Sequence, residues 1–219
     1  RVLFRSETFK TFLASSEDGS FQHQPDDDKH GCEGGDTKGK PDAEQAMISG
    51  QIGNHGVAVM AERNGLTFDP PLMSDCAALN GIVADLLAAA PHSVRIMRDP
   101  TRGGLATTLK EIALETGFCL SLVENSIPVP DPVRGACDLM GLDPLYVANE
   151  GIFIAIVAED AAEHAQRVLR EHPLGRHAAL IGEVHAPDDR SKGMVLLKTV
   201  IGGTRIVDML AGEQLPRIC

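Results

Sequence analysis

The sequence lacks tryptophan, holds a single tyrosine, and has no apolar run long enough to span a bilayer. Its longest apolar stretches, such as 152–158, are far shorter than the roughly 20 residues that a membrane helix needs. The first residues show no succession of basic, apolar and cleavage regions, so we expect no secretion signal. These absences predict a cytoplasmic protein without a membrane partner.

Positive charge and paired cysteines are also scarce. The 219 residues carry 20 Lys and Arg against 31 Asp and Glu, a formal net charge of −11. Nucleic-acid binding needs a basic face toward the phosphates, so we expect no nucleic-acid partner. Five cysteines in no CxxC spacing predict neither a disulfide framework nor a zinc site. The apolar fraction of 43% is ample for a core.

Composition divides the chain into three parts. Residues 1–45 are predicted to be a disordered or aberrant N-terminal segment, because most of this stretch is Gly, Asp, Lys, Ser and His with little to bury. Residues 46–210 carry a dense apolar pattern and are predicted to form one domain. Residues 211–219 are predicted to be a mobile tail, which Pro216 biases toward extended backbone.

Apolar periodicity and turn residues predict an α+β fold. One helix is expected to start at an N-cap Ser74 and another to start at a cap Asp160. The other predicted helices are 105–116, closed by Gly117, and 132–139. The predicted strands are 120–123, 152–158, 179–184, 194–200 and 204–210. Such a mixture indicates a mixed sheet with packed helices.

The segment RDPTRGGL (98–105) leads directly into a predicted helix. Glycines allow a backbone to approach a ligand closely, and the N–H groups of a helix start favour an anion. Phosphate-binding candidates are therefore Asp99, Thr101, Arg102, Gly103 and Gly104. The alternative is a glycine-rich turn that merely starts the helix.

Two further segments carry polar groups. ANEG (148–151) places Glu150, beside Asn149, just before an apolar strand, where a carboxylate is suited to act as a general base. Its alternative is a solvated turn, which the local pattern favours. SGQIGNHG (49–56) is either a ligand loop or, as the local pattern favours, a turn with His55 as a satisfied polar residue.

The last residue is a cysteine, Cys219, on an extended arm that could reach another active site. Arg217 nearby favours the thiolate. The alternative is an incidental terminal thiol. Cys76, Cys119 and Cys137 lie in helix or strand patterns and are predicted to be small core residues.

Six motifs occur together in a fixed order. They are GQIGNHG (50–56), MSDCAAL (73–79), RDPTRGG (98–104), VRGACDLMGLDPLYVANEG (133–151), HPLGRHAALIGEV (172–184) and LPRIC (215–219). This series resembles HypE, the family of carbamoyl dehydratases in [NiFe]-hydrogenase maturation, over about residues 46–219.

The resemblance implies a PurM-like C-terminal domain and an ATP-dependent enzyme that uses ATP with Mg. Cys219 would carry an S-carboxamide loaded by the carbamoyl transferase HypF. Glu150 would act as base while the carboxamide is dehydrated to a thiocyanate, and the loop 99–104 would steady the phosphates. Cyanide would then pass to iron on the HypC–HypD complex. Family members form homodimers.

Some features depart from the family. Asn54 stands where the family usually has Asp, and residues 1–45 do not resemble the family's N-terminal nucleotide-binding domain. A GDTK motif of that domain is spelled at 35–38, which makes Lys38 a further candidate. We therefore expect a fragment that keeps the second domain and the tail. The alternatives are a carbamoyl-carrier or docking module without ATP turnover, or another PurM-like enzyme such as aminoimidazole ribonucleotide synthetase or selenophosphate synthetase.

Overall fold

The most continuous apolar segment forms the strand β5 (Ile154–Ala158), which is buried along its whole length. It pairs antiparallel with β2 (Glu44–Ile48) on one side and with β3 (Val94–Arg98) on the other. A strand covered on both faces needs apolar residues at successive positions, which explains its sequence IAIVA. The computed structural model describes residues 2–5, 44–186, 188 and 190–210.

Eight strands of these residues form one sheet. The other five are β1 (Val2–Arg5), β4 (Cys119–Val123), β6 (Ala179–His185), β7 (Val195–Lys198) and β8 (Thr204–Val207). The order is β1-β3-β5-β2-β6-β4-β7-β8. All neighbours are antiparallel except β4 and β7, which are parallel. The mixed sheet and its packed helices confirm the predicted fold class.

Helices cover both faces of the sheet. The described residues form α1 (Asn54–Asn64), α2 (Asn80–Ala89), α3 (Gly104–Thr116), α4 (Asp131–Met140) and α5 (Glu159–Glu171). Leu109 of α3 packs in one buried cluster with Ile156, whereas Leu86 of α2 and Leu169 of α5 pack in another with Met47. Because side chains alternate along a strand, each sheet face takes every second residue.

A smaller cluster joins α1 to α4 through Val57, Val133, Cys137 and Val147. Cys137 is fully buried there, as predicted for a small core residue. Cys119 is also buried, in β4, but it is disulfide-bonded, so the prediction of a simple core thiol is wrong for this residue. Burial raises the pKa of the Cys137 thiol to about 11, and the nearby carboxylates of Asp143 and Asp138 add to the rise. A thiol in this environment stays protonated and unreactive.

Two predicted helix starts are wrong. α2 begins at Asn80 rather than just after Ser74, because the Ser74 hydroxyl accepts the Cys76 N–H in a local turn and the residues up to 79 stay irregular. α5 begins at Glu159, and its N-cap residue Ala158 makes no side-chain hydrogen bond. Asp160 instead lies in the first turn, where its charge favours the helix dipole.

The structure also contains elements that the sequence patterns did not predict, and some strands are shorter than predicted. The strands β2 and β3, the helix α1 and the edge strand β1 were not predicted. β1 and the first residues of β2 fall in the segment 1–45, which was predicted to be disordered. β7 ends at Lys198 rather than at residue 200, because a turn at 199–203 joins it to β8. β8 starts at Thr204 as predicted but ends at Val207 rather than at residue 210. The predicted tail 211–219 lies outside the described residues.

Candidate functional site

A cavity of about 390 Å³ opens where the end of β3 meets the start of β5. Its apolar wall consists of Leu79, Val83, Leu87, Met97 and Ile152. Its polar groups are Asn80, Asp99, Thr101 and Glu150. A concave, mostly apolar site with a few converging polar side chains is typical of small-molecule binding.

Strand pairing explains why two distant motifs share this cavity. β3 and β5 are antiparallel, and Arg98 lies opposite Ile154. The residues that leave β3, including Asp99 and Thr101, therefore lie beside the residues that enter β5, including Glu150. The structure thus brings together three of the predicted site residues on one surface.

Asn149 joins three loops around the cavity. Its side-chain oxygen accepts the Gly53 N–H at 2.7 Å, and its amide nitrogen donates to the carbonyls of Pro100 at 2.9 Å and Val147 at 3.0 Å. The residue is buried, with 1% exposure. A buried polar group that is satisfied in this way rigidifies its surroundings. The contacts of Asn149 are with the protein backbone, and they hold the loop before β5 to the loop after β3.

The glycines at the start of α3 are explained by close packing. Gly104 has a φ of +63°, and a Cβ there would lie 2.5 Å from the Leu145 carbonyl oxygen and 2.6 Å from that of Val147. Gly103 and Gly104 are buried, whereas Arg102 is exposed. Among the described residues, the cavity lining does not include these three. Their phosphate-binding role therefore stays a prediction, and Gly104 has a packing role in any case.

An ion pair between β3 and α3 also holds the loop after β3. The Arg98 guanidinium donates to the Glu111 carboxylate of α3 and lies 4.0 Å from that of Glu115. This ion pair joins the last residue of β3 to the helix that follows the loop. It keeps Asp99 and Thr101 close to the cavity, because both ends of the short loop are fixed.

A second polar group lies at the start of α1. His55 is in the first turn of this helix, rather than in a β-turn, and is half-buried. Its Nδ1 is 2.9 Å from the Ser74 hydroxyl and 3.9 Å from the Cys76 sulfur. Cys76 is exposed, so its predicted role as a core residue is wrong. The reason is that residues 74–79 cross the surface rather than forming the first turn of α2.

Asp75, between Ser74 and Cys76, turns its carboxylate toward the loop before β5. Its oxygens accept the backbone N–H groups of Glu150 and Gly151, each at 3.3 Å. Burial raises the pKa of the Asp75 carboxyl, although these backbone hydrogen bonds and the nearby His55 oppose the rise. Asp75, and Asn80 in the cavity wall, were not among the predicted site residues.

Two predicted site residues, Lys38 and Cys219, lie outside the described residues. Within the described ranges, no group of three or more His, Cys, Asp or Glu side chains is placed to hold a metal ion. No helix of those ranges is both long and apolar enough to cross a membrane.

Residues 42–192 match the family described as AIR synthase related protein, C-terminal domain. The chain is 52% identical over 176 residues to the carbamoyl dehydratase HypE of Azotobacter vinelandii, covering 80% of this chain and 50% of that protein. The chain spans about half the length of the curated relatives that it matches.

Solved structures give the same result. The hydrogenase maturation protein HypE in complex with ATP superposes with a TM-score of 0.77 at 44% identity, over 82% of this chain and 54% of that one. A HypE–HypF complex superposes with a TM-score of 0.71 at 40% identity, over 78% and 54%. The chain belongs to the family of AIR synthase related proteins, whose C-terminal domain it carries, and its similarity is to the HypE members, as its motifs predicted.

Proposed function

We propose that this chain supplies the C-terminal domain and tail of an ATP-dependent carbamoyl dehydratase in [NiFe]-hydrogenase maturation. The observation that carries the proposal is the cavity in which Glu150 lies beside Asp99 and Thr101. Two of the HypE-like motifs, RDPTRGG and ANEG, meet at this cavity. The similarity to HypE proteins supports the choice of reaction.

Dehydration of a carboxamide must convert its oxygen into a leaving group. The amide oxygen of the S-carboxamide attacks the γ-phosphorus of ATP, and ADP leaves. The carbon–oxygen bond then breaks, inorganic phosphate departs, and the nitrogen loses its two protons as the C≡N bond forms. Glu150 accepts the first of these protons, and the second passes to the phosphate or to water. A positioned general base of this kind contributes about 10²- to 10⁴-fold to a rate.

Asp99 and Thr101 are the polar groups that would face the phosphates. Oxygen donors such as these, together with Asn80 in the same lining, would suit Mg²⁺ that arrives with a nucleotide. Arg102, Gly103 and Gly104 are proposed to add donors as charge moves during phosphoryl transfer. A HypE structure in complex with ATP supports nucleotide binding by this group of proteins.

Cys219 is proposed to carry the carboxamide and then the thiocyanate. A HypE–HypF complex supports HypF as the partner that loads this thiol. Transfer of cyanide to iron on the HypC–HypD complex and a cytoplasmic location complete the proposal. His55, Asn149 and Lys38 are further candidate site residues. The hydrogen bonds of Asn149 to the backbone of three loops suit it to fixing those loops in place.

The second candidate function is a carrier or docking domain that presents Cys219 without turning over ATP. The packing of Gly104 against the carbonyls of Leu145 and Val147 favours it, because this glycine is then used by the fold and not by a nucleotide. A carrier domain of this kind would show no affinity for ATP in a nucleotide titration.

The deciding experiment is the intact mass of the chain after incubation with HypF, carbamoyl phosphate and ATP. Addition of a carboxamide followed by loss of one water identifies a working dehydratase. A carboxamide that persists identifies a carrier domain. An unmodified mass contradicts both candidates, because each requires that HypF loads Cys219.

A further inference from the structure

Residues 73–79 form an irregular segment that crosses the outside of the Glu150–Gly151 peptide. Asp75 is its point of attachment. Both carboxylate oxygens lie 3.3 Å from the Glu150 nitrogen, and one of them lies 3.3 Å from the Gly151 nitrogen. The charged carboxylate therefore accepts from two neighbouring N–H groups at once, and hydrogen bonds to an ionised acceptor are stronger than neutral ones.

The backbone of the same segment also lies directly on Gly151. A Cβ at that position would lie 1.5 Å from the Asp75 carbonyl oxygen and 3.1 Å from the Ala77 nitrogen. No side chain can occupy this gap without moving one of the two backbone segments. The segment therefore follows the position of the Glu150–Gly151 peptide closely.

The inner and outer sides of the loop before β5 are thus held by different residues. On the inner side, Asn149 binds the backbone of Gly53 and Pro100. On the outer side, Asp75 binds the backbone of Glu150 and Gly151. The segment then continues into Leu79 and Asn80, which line the cavity together with Glu150.

We propose that Asp75 is a positioning residue for Glu150: by fixing the two N–H groups, it sets the direction from which the Glu150 carboxylate enters the cavity. The inference rests on the proposed function, in which Glu150 accepts a proton from the carboxamide. A base must lie within hydrogen-bond reach of that proton, and a displacement of about 1 Å can cost about 100-fold in rate.

The test compares Asp75→Ala and Asp75→Asn with the control Asp85→Asn, which changes an exposed aspartate on α2. Loading of Cys219 by HypF and the later loss of water are followed separately by intact mass. We expect Asp75→Ala to load normally but to lose water about 10- to 100-fold more slowly. Asp75→Asn, which keeps one acceptor oxygen, should recover part of that rate, and Asp85→Asn should match the wild type.

Wild-type dehydration by Asp75→Ala overturns the inference, and so does an equal loss of loading and dehydration, which would mark a purely structural residue. A second readout needs no turnover. In ¹⁵N-labelled chain, the amide signals of Glu150 and Gly151 should move in Asp75→Asn, while that of Phe153, bound to the Ser49 hydroxyl, stays in place. If the wild type does not dehydrate, the proposed function fails, and the positioning role of Asp75 is then decided by the two amide signals alone. Movement of the Glu150 and Gly151 signals supports that role, and no movement overturns it.

Discussion

The centre of the sheet and the loops around the cavity are held together in different ways. β5 and its neighbours are joined by regular backbone pairing and by apolar side chains on both faces. The loops 49–53, 99–104 and 147–151 are joined by one buried amide and by glycines in close contact. The first region should accept small apolar changes, whereas the second should not accept even an isosteric change of its buried amide, Asn149.

The change Asn149→Asp tests this difference most strongly. The new carboxylate cannot donate to the carbonyls of Pro100 and Val147, and it places a charge in a buried site. Each buried group left without a partner costs about 1–3 kcal/mol, so we expect a loss of at least about 3 kcal/mol in the free energy of unfolding. Urea unfolding measures it.

The matched change in the sheet is Ile156→Val, which removes one buried methyl group from β5. Its expected cost is only about 0.5–1.5 kcal/mol. A cost for Asn149→Asp no larger than this would mean that the amide does not hold the loops.

Gly151→Ala comes next in size. Its Cβ must displace the Asp75 backbone, and forced overpacking of this kind costs about 1–3 kcal/mol. The control is Gly135→Ala, an exposed glycine of α4 whose Cβ would meet nothing within 4 Å. In a helix this change should stabilise by about 0.5–1 kcal/mol. Equal denaturation midpoints for the two variants would contradict the close packing over Gly151.

Asp75→Asn should alter the pH dependence of stability. Burial raises the pKa of Asp75 in the folded state, so the native protein binds this proton more tightly than the unfolded chain does. The wild type should therefore gain stability relative to Asp75→Asn as the pH falls from 7 toward about 4, where an unfolded aspartate takes up its proton. Unfolding free energies of the two proteins across this range check the sign, and a relative loss on acidification would contradict it.

Glu150→Gln should have the smallest effect on stability. The side chain is half-buried, and the contacts of its backbone N–H do not depend on the side chain. We expect a change within about 0.5 kcal/mol, measured by urea unfolding. A larger loss would mean that Glu150 stabilises the loop itself.

The sequence predicted the parts of the fold that depend on local patterns. α3 ends at Thr116 and is closed by Gly117 as expected, because this glycine adopts the left-handed conformation that terminates a helix. β3 was missed because Arg95 and Arg98 interrupt its apolar run, although Arg95 is buried in an ion pair with Glu44. That pairing is not visible in the local sequence.

The candidate site was predicted only in part for the same reason. Glu150 and Asp99 lie within recognisable motifs, and both line the same cavity in the structure. Asp75 was missed because its partners, Glu150 and Gly151, lie 75 and 76 residues away. Ser74 gave a false helix start, because the same residue type that caps a helix also closes a short turn.

The role of Glu150 as the base is tested by the rate at which carbamoylated Glu150→Gln loses water in the presence of ATP. Its control is Glu163→Gln, which changes an exposed glutamate on α5. If Glu150 accepts the carboxamide proton, Glu150→Gln keeps its carboxamide and dehydrates at least about 100-fold more slowly, while Glu163→Gln matches the wild type. Dehydration of Glu150→Gln at the wild-type rate would contradict the account.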